Sequence, residues 1–367
     1  MRAIFPSLLM VLATATTIPT ARAQSSDAPQ IENARVERKA LAGPLAAEVK
    51  AWAAKAEQPQ WLGYNVPQMG RERTMCCGDY GGPWGNGCGH CRLEDHENGT
   101  NIRSKDEPGT AKLEAPRSIA VLYRAESKHI TKIRVVSLEC SLDAGGLSFL
   151  WLSGVKPAES VELLETFVHG TDLDVHDDEH ASRSALTAIA LHADPAADRV
   201  LESFTRSSEP ESLRKQTAFW LGAAREKAGL AVLERMAKND PSSEVRAQVT
   251  FALSVSHEPG AVEDMIRVAH DDQSSHVRGQ ALFWLAQKAG QKAVGAITGA
   301  IDNDPDTDVK KKAVFALSQL PKDEGVPKLI EVARTNRNRE VRKQAMFWLG
   351  QSHDPRALAF FEKILAQ

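Results

Sequence analysis

Val277-Arg-Gly-Gln-Ala-Leu-Phe283-Trp-Leu285 is one of five copies of a single phrase. The others are Leu213-Arg-Lys-Gln-Thr-Ala-Phe219-Trp-Leu221, Val245-Arg-Ala-Gln-Val-Thr-Phe251-Ala-Leu253, Val309-Lys-Lys-Lys-Ala-Val-Phe315-Ala-Leu317 and Val341-Arg-Lys-Gln-Ala-Met-Phe347-Trp-Leu349. The phenylalanines stand at 219, 251, 283, 315 and 347, so every step is 32 residues with no slippage. A fixed period of about 20 to 50 residues marks an array of stacked supersecondary units, because each unit buries its apolar face only against a neighbour. A single globular core generates no such register. The phrase therefore predicts an α-solenoid.

Each period holds two helices. At about 100° per residue, Val277, Ala281, Trp284 and Leu285 share one face of the first helix. A loop and a second apolar helix follow, as at 261–269 and 326–333. The next repeat opens after Asp240-Pro241, Asp272, Asp304-Pro305 or Asn336. Aspartate or asparagine suits a helix start because its side chain accepts an unpaired backbone N–H, and proline tolerates the first turn. A weaker copy at 181–204 raises the count to about six repeats of 32 residues over 181–367, enough to bury a continuous core.

The phrase Val-Arg-x-x-Ala-x-x-x-Leu, with aspartate six residues before the arginine, resembles the short HEAT-like repeats first associated with phycobilisome lyase subunits. The whole arrangement, a signal sequence, a Cys/Gly-rich unit and then repeats, is similar to exported bacterial HEAT-repeat proteins. The resemblance implies a mainly α fold, a right-handed α-α superhelix that binds other macromolecules, with enzymes only among some members. In the column Arg214, Arg246, Arg278, Lys310 and Arg342, pairing with the aspartates as an inter-repeat ladder competes with a nucleic-acid stripe. The net charge of −3 argues against nucleic acid as partner.

Two columns add to this pattern. Trp220, Trp284 and Trp348 alternate with Ala252 and Ala316, which makes the unit two repeats, or 64 residues. Large facing small keeps packing density constant. Phe219, Phe251, Phe283, Phe315 and Phe347 lie about 100° or more around the wheel from the core set. Either they pack between successive first helices, or they form an exposed aromatic stripe that grips a partner.

The rest of the 367-residue chain reads as an attachment. The apolar run at 4–18, followed by Ala21-Arg22-Ala23, predicts a signal peptide over 1–23 with cleavage before Gln24 and no membrane insertion afterwards. An α+β unit is expected over 24–168. It comprises an amphipathic helix at 31–58 interrupted near Gly43-Pro44, a strand at 61–66, a hairpin at 118–136, a strand at 147–152 and a helix at 157–167. An acidic linker spans 169–180.

Cys76, Cys77, Cys88, Cys91 and Cys140 are the five cysteines. In an oxidising compartment two disulfides and one odd thiol are the default. Zinc held by Cys76, Cys77, Cys88 and Cys91 is a second reading, although adjacent cysteines rarely share one tetrahedral ion. Cys88-Gly-His-Cys91 also matches a redox dithiol, without the strand-then-helix setting that such a site needs. His169, Asp172, Asp174, His176, Asp177, Asp178, Glu179 and His180 form a solvated helix-start segment or a divalent-metal cluster. His257-Glu258 resembles one of the His-Glu pairs of the HEAT-like di-iron hydroxylase of deoxyhypusine, which needs several. No catalytic residue and no cofactor is expected. The sequence points to an exported scaffold that binds protein or peptide, its affinity spread along the stacked second helices. The competing reading is an enzyme or sensor, bilin-lyase-like through the repeats or thiol- or zinc-dependent at 76–91.

Overall fold

The computed structural model describes residues 28–69, 91–94, 118–138, 140–169 and 178–366. Its N-terminal strands and helices, in chain order, are β1 Ile31–Glu32, β2 Arg35–Ala40, α1 Leu45–Ala53, β3 Gln60–Pro67, β4 Cys91–Arg92, β5 Ser118–Glu126, β6 His129–Ser137, β7 Leu142–Asp143, β8 Ser148–Ser153 and α2 Pro157–Val168. Six helix pairs follow: α3 Asp178–Leu191 with α4 Pro195–Ser203, α5 Glu211–Ala224 with α6 Glu226–Asn239, α7 Ser243–Val255 with α8 Gly260–Asp271, α9 Ser275–Ala289 with α10 Gln291–Asn303, α11 Thr307–Ser318 with α12 Lys322–Thr335, and α13 Arg339–Gln351 with α14 Pro355–Leu365.

The main sheet runs β2-β8-β3-β5-β6. Its first three strands are mutually parallel, and β3-β5-β6 is antiparallel. Ser127 and Lys128 both take positive φ in the β5–β6 turn, the backbone twist a tight hairpin needs. Gly63 is required in β3, since a Cβ there would sit 2.7 Å from the Leu122 side chain and 3.0 Å from the Trp151 ring. One sheet face carries Leu62, Tyr64, Val121 and Tyr123 and packs in one core with α1, α2 and α3. The other carries Trp61, Leu122, Phe149 and Trp151 beneath a small parallel sheet, β1-β7-β4.

Two expectations are corrected. The helix expected over 31–58 is helical only at Leu45–Ala53, where Leu45, Val49 and Trp52 form its buried face. Residues Arg35–Ala40 are instead the sheet's edge strand, exposed throughout. Arg-Val-Glu-Arg-Lys-Ala suits a helix locally, but pairing with β8 decides its state, and charges on an edge strand deter further pairing. The linker expected to reach residue 180 ends earlier, because α3 begins at Asp178.

The helix pairs stack as an α-solenoid, first helix on first helix from α5 to α13. α2 packs on α3 and α4, while β6 lies against α3, so the sheet stands where a preceding first helix would be. The C-terminal ends of β3 and α3 are also stitched: Met69 N–H donates to the Leu191 carbonyl at 2.8 Å and Ala193 N–H to the Pro67 carbonyl at 2.9 Å. One hydrophobic core runs from Leu45 to Phe360.

Candidate functional site: an aromatic column on the first helices

The repeats are tied by a charge ladder. Arg214 holds Asp240 through Nε at 2.9 Å and Nη2 at 3.2 Å. Arg246 holds Asp272 at 2.8 and 3.1 Å, and Arg278 holds Asp304 at 2.7 and 2.9 Å. Each arginine thus reaches the aspartate that opens the following repeat. Arg246 and Arg278 also donate Nη1 to the carbonyls of Asp240 and Asp272, each at 2.8 Å. Donation to the Asp272 carboxylate holds the Arg246 guanidinium charged, above its already high ordinary pKa. Arg214, Arg246 and Arg278 are buried and bond through Nε, Nη1 and Nη2 within the protein, so these three rungs are structural rather than a nucleic-acid stripe, while Arg342 donates Nη1 to the Asn336 carbonyl at 2.7 Å.

The fourth rung differs at both ends. Lys310 and Asn336 occupy the arginine and aspartate positions, and the Lys310 ammonium turns to the Asp302 carbonyl at 2.8 Å. Asn336 keeps the capping half of the role, accepting from the Asn338 N–H at 2.9 Å. Asn338 Nδ2 to Thr307 Oγ1, at 3.0 Å, crosses this joint instead.

None of the five phenylalanines of the repeat phrase is buried. Phe219, Phe251, Phe283 and Phe315 are half-buried, and Phe347 is 54% exposed. Packing between successive first helices therefore covers only part of each ring. Phe219 stacks on Phe251 with centroids 5.9 Å apart and planes 13° apart; Phe283 stacks on Phe315 at 5.9 Å and 5°. Trp284 bridges the two stacks, 4.7 Å from Phe251 and 4.8 Å from Phe283. Trp348 repeats the move between Phe315, at 4.8 Å, and Phe347, at 5.0 Å. Trp220 meets Phe219 edge-on at 5.1 Å. Eight rings thus make one continuous column along five first helices.

The two-repeat unit has its physical basis here. Ala252 and Ala316 are buried and leave room beside Phe251 and Phe315, and the tryptophan of the next repeat packs onto that ring. The tryptophans, placed with the core by the helical wheel, are only half-buried for this reason. Gly222 lets α5 approach α7 closely enough for the first stack: a Cβ there would collide with the Ala252 carbonyl.

The remaining sequence candidates are scattered. Cys91 and Cys140 are fully buried under the main sheet and are disulfide-bonded. Cys76, Cys77 and Cys88 lie outside the described residues, as do Asp172, Asp174, His176 and Asp177. His169 lies edge-on to Phe204 at 5.2 Å and 4.0 Å from the Glu209 carboxylate. His257 and Glu258 sit in the turn between α7 and α8. Among the described residues no three His, Cys, Asp or Glu side chains are grouped to hold a metal ion.

Sequence reading missed a buried polar chain at the junction of the two parts. Tyr123 and Tyr64 hydroxyls are 3.0 Å apart, Tyr64 Oη lies 2.7 Å from Ser160 Oγ, and Ser160 Oγ lies 2.8 Å from His192 Nε2. His192 Nδ1 donates to the Ala188 carbonyl at 2.6 Å, which fixes Nε2 as the acceptor from Ser160. Burial, aided by the Arg225 charge, pushes the imidazole down to about 4, and burial pushes Tyr64 up to about 12. All four residues have zero exposure, so the chain joins β3, β5, α2 and α3 rather than meeting a substrate. Arg225 closes the junction, donating to the His192 carbonyl at 2.6 Å and to Asp198 at 2.8 Å. The four residues are spread over 64–192, and no local spacing announces their meeting.

Compared with known proteins, the family of HEAT repeats matches residues 197–286, 262–346 and 295–367. No curated protein sequence matches. Among solved structures, human deoxyhypusine hydroxylase in complex with glycerol is similar over 56% of this chain and 90% of its own, at 16% identity and a TM-score of 0.30. Kap121p is similar over 52% of this chain, at 13% identity and a TM-score of 0.33; the match spans 25% of its length. Residues 197–367 match the HEAT-repeat family, and their helix pairs stack as an α-solenoid.

Proposed function

We propose that the chain is an exported, non-catalytic scaffold whose solenoid binds a protein or peptide partner through the aromatic column of its first helices. The observation that carries this reading is the incomplete burial of that column. A sequence that repeats a large apolar residue at 219, 251, 283, 315 and 347 without fully burying it leaves part of each ring open to water, and Phe347 exposed. Contiguous exposed apolar surface marks a site of association, and rigid aromatic rings contribute large contact area at low entropic cost. The face lies on the first helices, not on the second helices that carry the alternate surface. The apolar leader at 4–18 and the buried half-cystines Cys91 and Cys140 support export. The α+β unit serves as the N-terminal cap, its sheet covering the apolar side of α3. The scaffold uses no cofactor and no catalytic residue.

Photo-cross-linking of the full chain in its native extract tests the face. A benzoylphenylalanine at position 283 is expected to give one discrete adduct, and the same group at exposed Arg267 on α8 none. Adducts from position 267 alone would place binding on the second helices and refute the assignment.

A further inference from the structure

α13 is a near copy of α5. Arg214-Lys-Gln-Thr-Ala-Phe-Trp-Leu-Gly222 recurs as Arg342-Lys-Gln-Ala-Met-Phe-Trp-Leu-Gly350, changed only at Thr217 and Ala218. In α5 three of these residues form the joint on which α7 docks. Arg214 holds Asp240 through Nε at 2.9 Å and Nη2 at 3.2 Å. Phe219 stacks on Phe251 at 5.9 Å. Gly222 lies against the Ala252 carbonyl, where a Cβ would collide. In α13 all three lack that partner among the described residues. Arg342 donates only Nη1, to the carbonyls of Asn336 at 2.7 Å and Arg337 at 3.1 Å. Phe347 meets one ring, its neighbour Trp348 at 5.0 Å, and is 54% exposed. A Cβ at Gly350 would have nothing within 4 Å.

The pairing of the rings points the same way. Phe219 stacks on Phe251 and Phe283 on Phe315, each time a Phe-Trp repeat followed by a Phe-Ala repeat. Phe347-Trp348 opens a third such pair, and no second ring lies on it among the described residues. The companion helix α14 is also half-covered. Leu358, Phe361 and Leu365 fall on one side of it at helical spacing, with Leu358 61% and Leu365 86% exposed. The large apolar side chains exposed among the described residues are Phe347, Leu358, Ile364 and Leu365, all on this helix pair, and Val36. A solenoid end that faces water is finished with polar residues. This end is built as a joint.

We infer that the outer face of α13 and α14 binds a helix pair of a partner protein, which continues the stack as α7 and α8 continue it from α5 and α6. The α5–α7 joint sets the chemistry of that partner: an aspartate ahead of the first turn, then phenylalanine and alanine at the spacing of Asp240 to Phe251 and Ala252. The aspartate takes Nε and Nη2 of Arg342, the phenylalanine stacks on Phe347, and the alanine lets the two backbones close at Gly350. The partner's second helix covers Leu358 and Leu365. This contact at the end of the solenoid is separate from binding along the aromatic column.

The probe is a fluorescein-labelled peptide copying residues 240–256, held helical by a hydrocarbon staple at positions 250 and 254, opposite Ala252 on the helical wheel. Its affinity for the full chain is read by fluorescence anisotropy. Saturable binding is expected. Gly350→Leu, which fills open space and leaves the fold intact by circular dichroism, should abolish it. Phe347→Ser in the chain and Asp240→Asn in the peptide should each weaken it about tenfold, as loss of a stacked ring or a charge-assisted pair implies. Phe251→Ser with Phe283→Ser should leave this affinity unchanged while removing binding along the column, so the two readings fail separately. No saturable binding, or equal affinity in Gly350→Leu, overturns the inference. So does self-association of the chain in sedimentation that Gly350→Leu abolishes, which would give this face to a second copy.

Discussion

Asp272 holds the guanidinium of Arg246, one repeat back, through parallel bonds of 2.8 and 3.1 Å, while its Oδ1 accepts the Ser274 backbone N–H at 2.8 Å. One carboxylate therefore closes a joint and starts a helix. Both side chains of the pair are about 5% exposed, so removal of either leaves a buried charge without its counterion. Asp272→Ala is expected to cost about 3 to 5 kcal/mol, measured by denaturant unfolding. Asp272→Asn, which keeps the cap, should cost less.

Lys310 and Asn336 leave the fourth joint without that pair. Amide hydrogen exchange in α13 and α14 should be faster than in α7 and α8. Lys310→Arg together with Asn336→Asp is expected to slow it, restoring a charge-assisted pair of about 1 to 3 kcal/mol. The single changes should do less, since each supplies one partner only.

The buried His192 makes the junction acid-sensitive. Its ordinary pKa of 6.5 falls to about 4 in the folded chain, which holds the ring neutral. Between those values the unfolded chain binds a proton that the folded chain does not, so stability falls as pH drops. The loss on reaching pH 4 is on the order of 3 kcal/mol. Chemical unfolding at pH 7, 5.5 and 4 should show it, and His192→Gln should flatten that dependence.

Gly222→Ala separates two opposed effects by sign. Helix propensity alone would stabilise α5 by about 1 kcal/mol. The new Cβ meets the Ala252 carbonyl, so overpacking should win and cost about 1 to 3 kcal/mol. Thermal unfolding reads the sign.

The solenoid was legible because Phe219 to Phe347 keep a strict register, and because a helical repeat is decided by neighbours in sequence. The tryptophan and alanine alternation was legible for the same reason. The state of Arg35–Ala40 was not, since its partner Ser148–Ser153 is distant in the chain and its own residues favour a helix. Periodicity placed the phenylalanines off the core face but left their exposure open, because exposure depends on what the next repeat lays over each ring. Tyr64, Tyr123, Ser160 and His192 gave no signal, being brought together only by the sheet and its covering helices.

The most direct measurement is the affinity of the full chain for its cross-linked partner, compared between the natural sequence and Phe251→Ser, Phe283→Ser, Phe315→Ser. These rings are half-buried and stacked, so the variant is less stable, and affinity is compared at a temperature where circular dichroism shows both chains folded. A loss of affinity of about a hundredfold or more is expected, the size of two or three aromatic hot spots. Unchanged affinity in a folded variant would contradict the assignment of the aromatic column as the binding surface.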